Sequence, residues 1–182
     1  MRPPDPEALL DEARFEVDEF MPYWAELWPS GLALAEALPS RLDGLAVVEL
    51  GCGLGVPSLV AAACGANVTA VDWASEAIEL LRGNAERNAI ALRAVHADWS
   101  MVGGSFDLVL AADLLYEERN GDALLEVLPT LAPWVLIADP GRSSARAFFE
   151  EARGDWEVSD RGDRVYELRR ATRADPPACG DG

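Results

Sequence analysis

The chain has 182 residues, half of them hydrophobic, enough for one compact domain with a sizeable core. Its 32 acidic side chains face only 15 basic ones, a net charge of −17 that disfavours nucleic acid as a partner and suits either simple solubility or a basic, lysine-bearing protein. All 15 basic residues are arginines, His96 is the sole histidine, and Cys52, Cys64 and Cys179 form no CxxC pair, so Schiff-base, P-loop, zinc and paired-histidine chemistries are excluded.

The first stretch, MRPPDPEALLDEARFEVDEF, is acidic and interrupted by proline, unlike a signal peptide, and the longest apolar run, LVAAACGA, is far short of the roughly 20 residues a bilayer requires. No membrane association and a cytoplasmic location are expected. Residues 1–27 form an acidic arm, helical from Pro6 to about Glu19, in which Phe20, Tyr23 and Trp24 either line a substrate channel or staple the arm to the core. WPSG (28–31) reads as a turn before a short helix that begins at Leu32 and stops ahead of Pro39.

From there the pattern alternates. LAVVEL (45–50) is a buried-type strand, and GCGLGVPSLVAAACGA is a Gly-rich turn opening a helix that tolerates Pro57 in its first turn and stops at Gly65. NVTAVD (67–72) is a second strand, followed by an amphipathic helix with Ser75 as its cap. LRAVHAD (92–98) and FDLVLAA (106–112) are the third and fourth strands. NGDALLEVLPTL is a helix, WVLIAD (134–139) a fifth strand and SSARAFFEEAR a last helix. Residues 156–170 close the domain (28–170) as a hairpin, and the tail 171–182 has little to bury. The predicted fold is α/β: a doubly wound, mostly parallel sheet with helices on both faces and an antiparallel C-terminal hairpin.

Ligands of such sheets bind beyond the carboxyl ends of the strands. Glu49, Asp72, Asp98, Asp113 and Asp139 all fall at predicted strand ends. Carboxylates collected on one rim repel each other unless something cationic or rich in hydroxyls is bound there. In ELGCGLG (49–55), Gly51, Gly53 and Gly55 let the backbone turn tightly and approach a ligand. The spacing is GxGxG and not the GxGxxG of dinucleotide sites, and Glu49 ahead of it would repel a pyrophosphate. Glu49 could instead hold a cationic amino group through water or backbone amides. Asp72, 23 positions on, suits a ribose diol, while Asp98 and Trp99 suit the amine and ring of an adenine. Adenine, a ribose diol and an amino-acid end without phosphate describe S-adenosylmethionine.

ELGCGLG, VDW, HADW and AADLLY resemble the class I, seven-strand methyltransferases over roughly residues 24–170. PYWAELWPSG, DLLY, WPSGLALA and LIADPGR narrow the resemblance to the protein-lysine branch, and most nearly to the electron transfer flavoprotein β-subunit lysine methyltransferases. The resemblance implies a seven-stranded Rossmann-like sheet and S-adenosylmethionine as cofactor. It places Trp28, Glu49, Gly51, Cys52, Gly53, Gly55, Asp72, Trp73, Trp99 and Ala112 around that cofactor, beside Asp98. Asp113 and Tyr116 then stand at the methyl-transfer end, with Tyr23, Trp24 and Arg142 toward the acceptor. In this reading Asp113 binds and orients the amine, Tyr116 lines its channel, and the proton leaves by water.

His96 is expected to be structural, Cys52 a small buried residue, and Arg142 to meet either a partner or a carboxylate. A monomer acting on an exposed protein lysine is the expected enzyme. A small-molecule N-methyltransferase is the alternative: an open acidic mouth would favour protein, a lidded apolar pocket a metabolite. Two further readings, an NAD-binding oxidoreductase and a catalytically silent scaffold, are disfavoured by the GxGxG spacing and by the Asp113/Tyr116 pair respectively.

Overall fold

The computed structural model describes residues 23–170. Five strands run parallel: β1 (Ala46–Leu50), β2 (Asn67–Asp72), β3 (Arg93–His96), β4 (Leu108–Ala112) and β5 (Trp134–Ala138). The hairpin β6 (Trp156–Asp160) and β7 (Val165–Arg170) completes a seven-stranded sheet of order β3-β2-β1-β4-β5-β7-β6. β7 is antiparallel to both of its neighbours. The helices are α1 (Pro29–Glu36), α2 (Val56–Ala63), α3 (Ser75–Arg87), α4 (Glu118–Leu131) and α5 (Ser143–Ala152). The expected doubly wound sheet with its antiparallel hairpin is the architecture found.

Central strands β4 and β5 are continuous apolar runs, and β1 is one but for the buried Glu49, because both faces are covered. The alternation along β1 sends Val47 to one face and Val48 with Leu50 to the other. On the first face Leu34 of α1 and Ala61 of α2 pack on Val47 and Val68, and Ile78 and Leu81 of α3 pack on Ala70. On the second, Leu124 and Leu128 of α4 and Phe148 of α5 cover Val109 and Val135. Leu34, Leu124 and Leu128 are fully buried, each contributing roughly 1.5–3 kcal/mol by removal from water.

Two expectations about helix starts need correction. WPSG is not a turn before a helix but the helix start itself: Trp28 is extended and Pro29 occupies the first helical position. The ring presets φ there, and the missing N–H is one the helix would leave unpaired anyway. Ser75 does not cap α3. It lies within the first turn and bonds Glu76 Oε2 at 3.0 Å, while Ala74 is the flanking residue. The turn is fixed from behind, because Asp72 Oδ1 accepts the Ala74 N–H at 2.9 Å. The predicted arm helix (6–19) and the tail (171–182) lie outside the described residues.

All five parallel strands point their carboxyl ends at one rim. The chain leaves β1 toward β2 on one side, and β4 pairs on the other, so the switch point sits between β1 and β4.

Candidate active site

A cleft of about 500 Å³ opens at that switch point. The turn after β1 forms its floor. Gly51 has φ +60°, and a Cβ there would come within 2.5 Å of Leu114 Cδ2, so both the backbone and the space demand glycine. At Gly53 the backbone closes on its neighbours: its N–H donates to Asp72 Oδ2 at 2.8 Å, and a Cβ would sit 3.3 Å from the Trp24 carbonyl. Gly55 then leads into α2.

Asp72 is 4% exposed and stitches two loops together, one oxygen on the Gly53 N–H and the other on the Ala74 N–H. Burial raises its carboxyl above the ordinary value, although those N–H groups pull the other way. Each oxygen keeps a second lone pair, and the residue lines the cleft, so hydroxyl donors can be accepted there.

Glu49 also lines the cleft, and its carboxyl is engaged from within the fold. Its Oε2 accepts from the Ser58 N–H at 2.8 Å and from the Ser58 hydroxyl, which anchors the first turn of α2 to β1. Burial pushes its carboxyl up to about 8, so the group is mostly protonated at neutral pH and not a standing anion. Ser58 was not foreseen. A hydroxyl one helical turn after a Gly-rich loop was the available signal. Cys52 is the expected small buried residue, with its thiol held well above the usual range by burial.

The walls carry Trp24, Trp28, Trp73, Trp99 and Ala112, as expected. Asp98 is not with them. Its Oδ1 accepts the Ser100 N–H at 2.9 Å and the Ser100 hydroxyl at 2.7 Å, capping the short helical turn Trp99–Met101 that carries the buried Trp99. The carboxylate acts on the turn that carries Trp99 and not on the cleft itself. The side chain of Tyr23 lies outside the described residues. His96 is structural: Nε2 lies 2.7 Å from the Trp73 carbonyl.

At the other end, Asp113 takes a left-handed conformation (φ +59°) that few residues with a Cβ adopt. Its N–H donates to the Ala138 carbonyl at 2.9 Å, which fixes the turn out of β4. Arg142 Nη1 lies 2.8 Å from Asp113 Oδ1 and also 2.8 Å from Asp139 Oδ2. The hydrogen bond is aligned on Asp139. The contact with Asp113 is an ion pair without an aligned N–H, and neither Asp113 oxygen accepts a hydrogen bond among the described residues. Oδ1 has the guanidinium beside it, whereas Oδ2 is buried with no partner among the described residues and marks the place where a donor is missing. Burial alone would lower the Arg142 guanidinium, but the two carboxylates outweigh it and hold it above its usual value. Tyr116 stands half exposed on the rim.

Of the five strand-end acids, Glu49, Asp72 and Asp113 line the cleft, while Asp139 lies behind it, fully buried and accepting the N–H groups of Gly141 and Arg142. Residues that sequence reasoning missed include Glu26, Leu27 and Glu117 at the mouth and Leu114 beneath the Gly51 turn.

A protein family described as "Methyltransferase domain" matches residues 47–133. The electron transfer flavoprotein beta subunit lysine methyltransferase of Danio rerio is 38% identical over 133 residues, covering 67% of this chain and 51% of that protein. The 23S rRNA (uracil(1939)-C(5))-methyltransferase RlmD of Halomonas elongata is 36% identical over 114 residues, 63% of this chain but 20% of that one. The chain thus spans about half the length of the lysine methyltransferase it matches. Among solved structures, magnesium protoporphyrin IX methyltransferase (ChlM) from Synechocystis PCC 6803 with bound SAM superposes with a TM-score of 0.62 at 19% identity, over 78% of this chain and 76% of that one.

Proposed function

We propose that this chain, whose residues 47–133 match a methyltransferase domain and whose fold is that of the class I methyltransferases, transfers a methyl group from S-adenosylmethionine to a lysine amine of a protein. The observation that carries the reading is that one cleft is lined both by the buried Asp72 and by Asp113, whose Oδ2 has no partner among the described residues.

The residues present fit that cofactor. Asp72 would hold the ribose hydroxyls, Trp99 would pack against the adenine, and the close-approach turn at Gly51 and Gly53 would leave room for the amino-acid end. Bound there, S-adenosylmethionine supplies a methyl group on a sulfonium, already activated toward an amine.

The rest is positioning, and orientation can supply several kcal/mol, up to roughly 7–11 in ideal intramolecular cases. Asp113, whose Oδ1 is paired to Arg142, offers its Oδ2 to the acceptor ammonium and thereby orients it. A carboxylate alone also resists the loss of the proton, and a lysine of reference pKa near ~10.4 already costs roughly 4–5 kcal/mol to neutralise at pH 7. Arg142 beside Asp113 offsets part of that resistance. The proton then passes to water at the open rim, where Tyr116 lines the channel with a hydroxyl that can bond the amine.

A protein acceptor is supported by the mouth, where exposed Glu26 and Leu27 and half-exposed Tyr116 offer a surface instead of a sealed apolar chamber. Against an RNA acceptor stands the net charge of −17. The test is calorimetric titration with S-adenosylmethionine, followed by incubation with a cell lysate and labelled donor. Micromolar binding and label recovered as methyl-lysine are expected. No binding would remove the premise, and label recovered in RNA would reassign the acceptor.

A further inference from the structure

A second hollow, of about 260 Å³, lies against the first and shares one wall with it, the side chain of Arg142. It is formed where the turn after β5 meets the β6–β7 turn. Its apolar side is Phe149 of α5 and Tyr166 of β7, whose rings stack with centroids 4.1 Å apart. Arg142, Arg146 and Arg164 line the rest. In a chain where acids outnumber bases 32 to 15, three guanidinium groups around one small hollow are a local reversal of charge.

The arginines are not equivalent. Arg142 is occupied by Asp113 and Asp139. Arg146 and Arg164 form no ion pair with any described residue. Arg164 Nη1 donates to the Pro140 carbonyl, and the Arg164 carbonyl accepts the Asp139 N–H at 3.2 Å, so the turn is clipped in place at the hollow's edge. The one carboxylate in the lining, Asp139, is fully buried and already satisfied by the Gly141 and Arg142 N–H groups and the Arg142 guanidinium. Arg146 and Arg164 are both exposed, and their remaining guanidinium donors stand at the hollow with no carboxylate partner among the described residues.

We propose that this hollow binds an acidic side chain of the protein substrate, an aspartate or glutamate close to the acceptor lysine in sequence. The inference rests on the protein-lysine reading above. Because a single guanidinium separates the two hollows, their occupants belong to one short stretch of chain, each extended residue spanning at most about 3.3–3.6 Å. The specificity this gives is simple: Asp113 receives the cation, Arg146 and Arg164 receive the anion, and a peptide carrying only positive charge meets two unpaired arginines beside its lysine.

The experiment uses the full chain and fluorescein-labelled peptides Gly-Glu-Gly-Lys-Gly-Glu-Gly and Gly-Gln-Gly-Lys-Gly-Gln-Gly, read by fluorescence anisotropy with S-adenosylmethionine present, with labelled oligothymidylate as a phosphate control. The glutamate peptide is expected to bind about tenfold more tightly than the glutamine peptide. Arg146→Gln/Arg164→Gln is expected to erase that preference while leaving calorimetric affinity for S-adenosylmethionine unchanged. Equal binding of the two peptides, no binding of either, a preference that survives the double substitution, or tighter binding of oligothymidylate would each overturn the proposal. If S-adenosylmethionine itself fails to bind, the underlying functional reading has failed instead, so the two failures are told apart.

Discussion

Arg142 stands between Asp113 and Asp139 with Nη1 at 2.8 Å from each, yet its aligned hydrogen bond goes only to Asp139. Asp139 is the structural partner, and Asp113 is held by charge at Oδ1 while its Oδ2 has no partner among the described residues. Asp113→Asn should therefore lower methyl transfer on the order of 10²-fold through misplacement of the amine. S-adenosylmethionine affinity should change by less than about threefold, roughly 0.65 kcal/mol. Rate and affinity falling together would mean that Asp113 shapes the cofactor site instead.

Removing the cation has a different consequence. Arg142→Met leaves two largely buried carboxylates facing each other, and loss of one partner of such a pair costs about 3 kcal/mol. For a domain of this size that is a fall in Tm of roughly 6–12 °C. Adding Asp113→Asn should recover part of the loss, and a double-mutant cycle by thermal denaturation measures how much. Strict additivity would show that the 2.8 Å contact carries no coupling.

Asp72 accepts one backbone N–H on each oxygen and lines the cleft. Asp72→Asn turns one oxygen into an NH2 that opposes the Gly53 or Ala74 N–H and removes the negative charge that hydroxyls would donate to. Calorimetry should give at least a tenfold rise in Kd for S-adenosylmethionine, about 1.4 kcal/mol. An unchanged Kd would move the ribose elsewhere.

Glu49 sits near 4.5 in an unfolded chain and about 8 in the fold. Between those values the folded state holds the extra proton, so this residue's contribution to stability declines as pH rises from about 4.5 and levels off above about 8. Denaturant unfolding at pH 5.5 and 8.5 should show Glu49→Gln losing about 3 kcal/mol less than the parent over that interval. Parallel losses would mean that the buried carboxyl ionises freely.

Gly51→Ala asks for a left-handed alanine and a methyl group inside Leu114. The backbone part is about 1–2 kcal/mol, and the clash adds to it. Leu114→Ala in the same chain should relieve the clash but not the backbone cost. The double substitution is therefore expected to be less destabilised than the sum of the singles in urea unfolding. An exact sum would show that Leu114 is not what excludes a side chain there.

The sheet was legible because its strands are short apolar runs separated by helix-period segments, and GxGxG after the first of them pointed to the cleft. Asp72, Trp99, Asp113 and Arg142 were legible for the same reason, each falling at or just after a strand end. What sequence did not disclose is how each carboxylate is spent. Asp98 looks like Asp72 in one dimension, but a serine two positions on captures it. Glu49 looks like a free anion until Ser58 closes on it from the next helix. Such partners depend on how loops fold back, and no periodicity reports that. WPSG misled because Trp-Pro-Ser-Gly has turn chemistry, while proline in a first helical position serves equally well.

The reversed direction of β7 also decides where this protein can be handled. The Trp24 carbonyl lies against Gly53, so the first described residues stand at the cleft. β7 runs against β5, pairing Val165 with Ala138 first and Arg169 with Trp134 last, and so carries the chain to the opposite rim. Position 170 therefore lies at the rim away from the cleft, the side on which a reporter dye stays clear of it.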